Sequence, residues 1–258
     1  MISSEKLTVL RLLLTFSLLC PALLYAQPAQ VAIIIDDIGY RKSDAQALYL
    51  PGNISYAILP HTPYGKILAL QAKANKNDVI LHIPMEAKNG KKLGPGALTS
   101  TMNEKGIREK LTSAFAEIPF ALGINNHMGS KLTELYQPMA WTMQFLSERD
   151  LMFIDSLTTG ASQAEQVAIS FGVPSLHRHI FLDNKLEHSY ILNQFKQLIL
   201  DAKRYHSVVA IAHPHPETIS SLHKLLPLLK KNNIELVPIS ELLSNKAANS
   251  NQQTNAED

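Results

Sequence analysis

Val31-Ala32-Ile33-Ile34-Ile35-Asp36-Asp37-Ile38-Gly39 decides how the rest of the chain is read. Five apolar residues, most of them β-branched, run directly into two adjacent carboxylates and a glycine. A continuous apolar run of this length predicts a strand buried on both faces, as in a parallel sheet. In α/β folds the chemistry gathers where such strands end. Side chains alternate along a strand, so Asp36 and Asp37 are expected to point to different sides and to hold different roles, one gripping a metal and the other handling a proton. The plainer alternative is a turn in which Asp37 caps the next helix.

Outward from this stretch, helical and strand patterns alternate. Strands are expected at 54–59, 78–86, 120–124, 151–156, 173–177, 207–212 and 234–237. Helices are expected at 41–50, 63–76, 103–118 (with Asn103 as cap), 137–149, 158–171, 188–205 and 218–232. This alternation predicts right-handed βαβ units and a parallel sheet. Seven or eight units with no linker and no repeat fit one closed α/β barrel.

The chain has 258 residues, 46% of them hydrophobic and 18% charged, which suits one large domain with a full core. A formal net charge of +2 and 7% aromatic content speak against nucleic acid as a partner. Lys6 and Arg11 flank the start of an apolar run over 12–24, and Leu24-Tyr25-Ala26 offers a cleavage site. Residues 1–26 are therefore expected to be a signal peptide, with an uncleaved anchor as the alternative. The mature chain would be exported across the inner membrane to the periplasm, touching the membrane only through the signal segment. The sole cysteine, Cys20, lies in that segment, so the mature protein has no disulfide, thiolate ligand or cysteine nucleophile. Residues 27–243 form the domain. The Asn/Gln/Ala/Ser-rich tail, 244–258, is expected to be disordered.

The polar residues fall at the expected strand ends: Asp36 and Asp37, then His82 and Glu86, then Asn125, Asn126 and His127, then Asp155, then Arg178 and Asp183, then His213 and His215. In a parallel barrel all these positions open on one rim. Asp, His and His with one open position is a ligand set for a catalytic divalent ion, zinc first among them. Asp37, His82 and His127 are the first choice. One of His213 and His215 is expected to face the pocket. His61, His177, His179, His188, His206 and His223 are expected on the surface or in structural roles. There is no Gly-x-Ser-x-Gly elbow, no phosphate-binding glycine loop and no His-Glu-x-x-His, which weakens serine-hydrolase, nucleotide-binding and thermolysin-like readings.

Five ordered stretches, Ile35-Asp36-Asp37-Ile38-Gly39, His82-Ile83-Pro84-Met85-Glu86, 125–130, Ile154-Asp155-Ser156 and His213-Pro214-His215, resemble the divergent polysaccharide deacetylase family, a distant relative of the NodB-type carbohydrate esterases. The resemblance spans roughly residues 30–243. It implies a distorted seven-stranded (β/α) barrel and an ancestry in metal-dependent deacetylation. It implies that Asp36 is the base, Asp37 a ligand, His82 the first ligand histidine, and His213 or His215 the general acid. Two departures stand out. Glu86 occupies the position of the second ligand histidine, and His127 falls in the parent family's arginine-containing motif. The metal site is thus either rebuilt with His127 or lost. Glu86, Asn126, Asp155 and Arg178 are expected to orient the ligands or the substrate. The implied activity is hydrolysis of the amide of an N-acetylated envelope glycan. The alternatives are an inactive barrel that binds glycan or an envelope protein, and a metal-dependent amidase acting on peptide.

Overall fold

The computed structural model describes residues 28–254. The expected signal peptide and the last four residues lie outside them. The sheet is parallel throughout, in the order β6-β5-β4-β3-β2-β1-β8-β7. Its strands are β1 (Ala29–Ile38), β2 (Ser55–Ile58), β3 (Val79–Met85), β4 (Gly123–Met128), β5 (Met152–Asp155), β6 (Ser175–His177), β7 (Ile180–Phe181) and β8 (Ser207–Ala212). A ninth, β9 (Ile234–Leu236), pairs with the start of β1.

β6 and β7 are two halves of one bent segment. β6 pairs with β5 and β7 pairs with β8. At the bend, the Arg178 amide donates to the Asp155 carbonyl, and the His179 amide donates to the Val209 carbonyl. The segment therefore leaves one wall and joins the other, closing a distorted barrel of seven strands, the arrangement that the resemblance implies. The interruption explains why the sequence shows no strand at 180–181: two residues are too few to carry a periodic signal.

Two apolar layers result from the alternation of side chains. Ala32, Ile34, Ala57, Ile80, Ile154, Leu176, Val209 and Ile211 fill the barrel interior. Val31, Ile33 and Ile35 face the surrounding helices. Both rows are apolar, which is why the strand reads as an unbroken run. Each fully buried isoleucine stabilises the fold by about 1.5–3 kcal/mol.

Val237, Ile239 and Leu242 belong to the interior layer and close one end of the barrel. Ile239 and Leu242 lie in the first turn of a helix, Ile239–Thr254, that begins on backbone donations from Ile239 to Ser55 Oγ (3.0 Å) and from Ser240 to Asp78 Oδ2 (2.8 Å). This corrects the expectation of a disordered tail from 244. Composition alone argues against helix there, but a first turn locked into the barrel removes the nucleation cost, and propagation follows. Asn245 adds a side-chain bond to Gln30, 3.1 Å.

The helix His188–Tyr205 and the strand Ser207–Ala212 have the expected limits. Other elements differ. The segment after β1 is a 3-10 helix, Lys42–Tyr49. The expected helix at 158–171 is confined to Ala164–Ser170. Pro227 splits the expected helix at 218–232 into Pro216–Leu225 and Pro227–Lys231.

Candidate metal centre

β1 and β4 run further than expected, so Asp36, Asp37, Asn125 and His127 lie in strands rather than in loops after them, and His82 lies within β3, as its expected limits imply. The inward row explains their placement. Ala32 and Ile34 lead to Asp36, Ile80 leads to His82, and Ile211 leads to His213, each at a spacing of two. The interior is thus apolar below and polar at the mouth.

Asp37 breaks this alternation. Its φ is 59°, and the pairing of β1 with β2 shifts register between Ile35 and Ile38. Such an irregularity re-aims a side chain. Asp36 and Asp37 therefore both face His82: its Nε2 stands 3.7 Å from Asp36 Oδ2 and 3.1 Å from Asp37 Oδ1. The expectation that the two acids diverge is overturned by this one left-handed residue. A non-glycine residue held there costs on the order of 1–3 kcal/mol and marks a position that the surroundings over-determine.

His127 completes the group. Its Nδ1 lies 2.8 Å from Asp37 Oδ1 and 3.2 Å from His82 Nε2. Three ligand atoms around one tetrahedral ion, at about 2.0–2.1 Å each, stand about 3.3 Å apart. Asp37 Oδ1 is also a buried oxygen that no donor addresses with hydrogen-bond geometry. A buried carboxylate oxygen crowded by two imidazole nitrogens yet unbonded fits a cation. Among the described residues this is the one group of three or more such side chains that converges in this way.

Burial alone would raise the Asp37 pKa, but the imidazoles of His127 and His82 hold its carboxyl far below the usual range. Asp36 goes the other way. It is fully enclosed, and burial raises it despite the opposing charges of His82 and His213. Burial lowers His82, but the two carboxylates outweigh it and the net direction is upward.

Asn125, rather than Asn126, ties these groups together. Its Nδ2 donates to Asp36 Oδ1 at 2.8 Å, and its Oδ1 accepts from His82 Nδ1 at 2.7 Å. That bond places the His82 proton on Nδ1 and leaves Nε2 for a ligand. His82 and Asn125 are register partners across β3 and β4. Asn126 faces away, donating to the Met128 carbonyl (2.7 Å) and accepting from the Ser156 amide (2.9 Å).

His213 stands across the mouth. It lines a cavity of about 140 Å³ together with Asp37, His127 and His215. Asp183 accepts from its Nδ1 at 2.9 Å and from its backbone N–H at 2.7 Å, and from Thr218 Oγ1 at 2.9 Å. Burial opposes the charge on His213, but Asp183 pushes its pKa up to about 9. Asp183 was visible in the sequence after the sixth strand, yet its partnership with His213 spans 30 residues and needed the fold to appear. His215 also lines the cavity and begins the helix Pro216–Leu225.

Three expected orienting residues serve the scaffold instead. Glu86 accepts from Lys131 Nζ (2.6 Å) and the Ser100 amide (2.6 Å), clasping the 88–101 loop, and Lys131 first of all holds its carboxyl down to about 2. Asp155 accepts from Ser162 Oγ (2.6 Å) and the Leu157 amide (2.8 Å). Arg178 donates to the carbonyls of Ser156 and Leu157, each at 2.8 Å, and its guanidinium lies 3.9 Å over the Phe181 ring. His61 pairs with Glu117, His177 with Glu165 and His188 with Ser221, outside the centre.

The fold and this centre define a (β/α) barrel with three candidate cation ligands, Asp37, His82 and His127, converging at its mouth. The family model described as "Divergent polysaccharide deacetylase" matches residues 33–243, and the chain belongs to that family. It is 38% identical over 219 residues to an uncharacterized protein of Haemophilus influenzae, covering 84% of this chain and 78% of that one. It is 38% identical over 216 residues to the uncharacterized protein YibQ of Escherichia coli K12, covering 83% and 67%. Among solved structures, an uncharacterized protein from Agrobacterium tumefaciens C58 superposes with a TM-score of 0.80 at 22% identity, over 84% of this chain and 90% of that one. The catalytic domain of a peptidoglycan N-acetylglucosamine deacetylase from Eubacterium rectale superposes at 0.54 with 13% identity, over 82% and 89%. These likenesses show a shared fold.

Proposed function

We propose that the chain is an exported, metal-dependent deacetylase that removes N-acetyl groups from a glycan of the cell envelope. The convergence of Asp37 Oδ1, His82 Nε2 and His127 Nδ1 to within 3.2 Å carries this reading. These three residues would hold the ion, with zinc favoured by a donor set of two nitrogens and one oxygen. When bound, a divalent ion supplies Lewis acidity toward a water and an amide carbonyl.

The chain's own groups handle the protons. Asp36 Oδ1 is engaged by Asn125, which leaves Oδ2 to accept the proton of the attacking water. Burial raises the basicity of Asp36, which suits that task. Asp183 favours the charged form of the His213 ring and holds its Nδ1, so Nε2 is the nitrogen turned to protonating the departing amine. The oxygen of water joins the carbonyl carbon, the C–N bond breaks, and acetate and a free amino sugar leave.

Export to the periplasm is supported by the Lys6, Arg11, 12–24 and Ala26 pattern. Glu86, where the parent family carries a ligand histidine, supports a second reading: an inactive barrel that binds glycan or an envelope protein. Acetate release from N-acetylated glycans by the zinc-loaded protein separates the two. Release that Asp36→Asn abolishes supports the deacetylase. Stoichiometric zinc with no release from any glycan supports the binder.

A further inference from the structure

Two cavities meet at the metal centre. The first, described above, is also lined by Tyr40, Arg41, Asp44 and Leu59. The second, of about 570 Å³, is lined by Tyr40, Leu59, Lys92, Leu93, Gly94, Pro95 and His127. They share Tyr40, Leu59 and His127, so they form one cleft running from the ion site to the 88–101 loop.

The cleft is held open by its neighbours rather than by its contents. Asp44 Oδ2 accepts from the backbone N–H groups of Gly39 and Arg41, both at 3.0 Å, which pins the turn carrying Tyr40 and Arg41. Gly39 has a φ of 140°, and a Cβ there would fall 2.2 Å from Thr62 Oγ1, so this turn accepts only glycine. On the other wall a Cβ at Gly94 would lie 2.8 Å from the Tyr40 hydroxyl, so the loop backbone abuts the tip of that ring. Glu86 fixes the same loop through Ser100 and Lys131.

The charges along this cleft are one-sided. Arg41 and Lys92 are exposed, and among the described residues neither forms an ion pair. The lining carboxylates are Asp37, which belongs to the ion site, and Asp44, which is 2% exposed and already accepts two backbone bonds. Tyr40 is 49% exposed beside the ion site and offers an aromatic face to the apolar side of a sugar ring.

Building on the deacetylase reading, we propose that the cleft selects a glycan bearing a carboxylate close to the acetamido group, with Tyr40 packing on the sugar and Arg41 and Lys92 meeting the acid. The substrate class is thereby an acidic rather than a neutral N-acetylated polysaccharide.

Calorimetric binding to the zinc-loaded full chain tests this without requiring turnover. The probes are a neutral N-acetylglucosamine oligomer, an oligomer of equal length whose alternate sugars carry an ether-linked carboxylate, and one alternating N-acetylhexosamine with uronic acid. At least one acidic oligomer binds about tenfold tighter than the neutral one, and the ratio shrinks with added salt. Which one binds tighter places the acid on the reacting sugar or on its neighbour. Arg41→Gln and Lys92→Gln each reduce the ratio several-fold, and together they bring it near unity. Equal affinity for all three oligomers, or a ratio indifferent to both substitutions, would overturn the proposal. Tight, Arg41-dependent binding of an acidic oligomer with no acetate release would instead overturn the deacetylase reading and leave this assignment standing.

Discussion

Asp183 accepts two hydrogen bonds from one residue: the Nδ1 of His213 at 2.9 Å and the backbone N–H of His213 at 2.7 Å. The pair fixes both the position of the ring and its tautomer, and it distinguishes His213 from His215, which pairs with no carboxylate among the described residues. Asp183→Asn keeps the shape and removes the charge. In the ion-free protein the His213 ring is expected to titrate near 9, and in Asp183→Asn its midpoint falls toward the ordinary value of about 6.5. The folded-state pKa is raised, so this group's contribution to stability is fully present below about pH 6.5 and is lost as pH rises through 9. NMR titration of the histidine rings, with melting curves across the same range, checks both. The alkaline limb of deacetylation moves to lower pH in the variant, with kcat reduced by about 10²-fold.

Asn125 should matter more than any other neutral residue in the barrel. Asn125→Leu strips the bond to Asp36 and the bond to His82 Nδ1, leaving two buried groups without partners. The expected cost is about 1–3 kcal/mol for each in stability, and ion affinity weaker by about 10–100-fold. Asn125→Asp still accepts from His82 but repels Asp36, so it retains the ion better than it retains turnover. Chelator competition read beside kcat separates these effects. Unchanged ion affinity in Asn125→Leu would remove its orienting role.

Glu86→Ala should leave ion stoichiometry intact, because Glu86 bonds Lys131 and Ser100 rather than the centre. The released loop at 88–101 becomes sensitive to limited proteolysis. Loss of the ion in this variant would return Glu86 to the ligand set.

Ion affinity should rise with pH. The two carboxylates favour a proton on His82, and an ion must displace that proton to reach Nε2. Calorimetry in buffers of different ionisation enthalpy should show protons released on binding, more of them at lower pH. Binding without proton release would contradict the assignment of His82.

The sequence exposes the barrel well, because its strands are continuous apolar runs and its helices are amphipathic. It also exposes the site residues as a set, since acids and imidazoles follow the apolar core of nearly every strand. What it hides is direction. Asn125 and Asn126 are adjacent, and a strand beginning at 120 or at 123 gives no hint of which one faces inward. Asp37 faces the site only because one left-handed residue breaks the alternation. Asp155 and Arg178 sit at the correct rim but turn to the neighbouring loop backbone, a choice made by packing between distant segments. The tail at 244–254 follows the same logic, its helix depending on Ile239 and Leu242 being seated in the barrel.

The metal content of Asp37→Ala, compared with the parent protein at equal fold by circular dichroism, tests the central claim most directly. The parent chain is expected to bind one divalent ion with two imidazole ligands and one carboxylate ligand by X-ray absorption, and the variant none. An Asp37→Ala protein that keeps its ion and still releases acetate would contradict the site described for Asp37, His82 and His127.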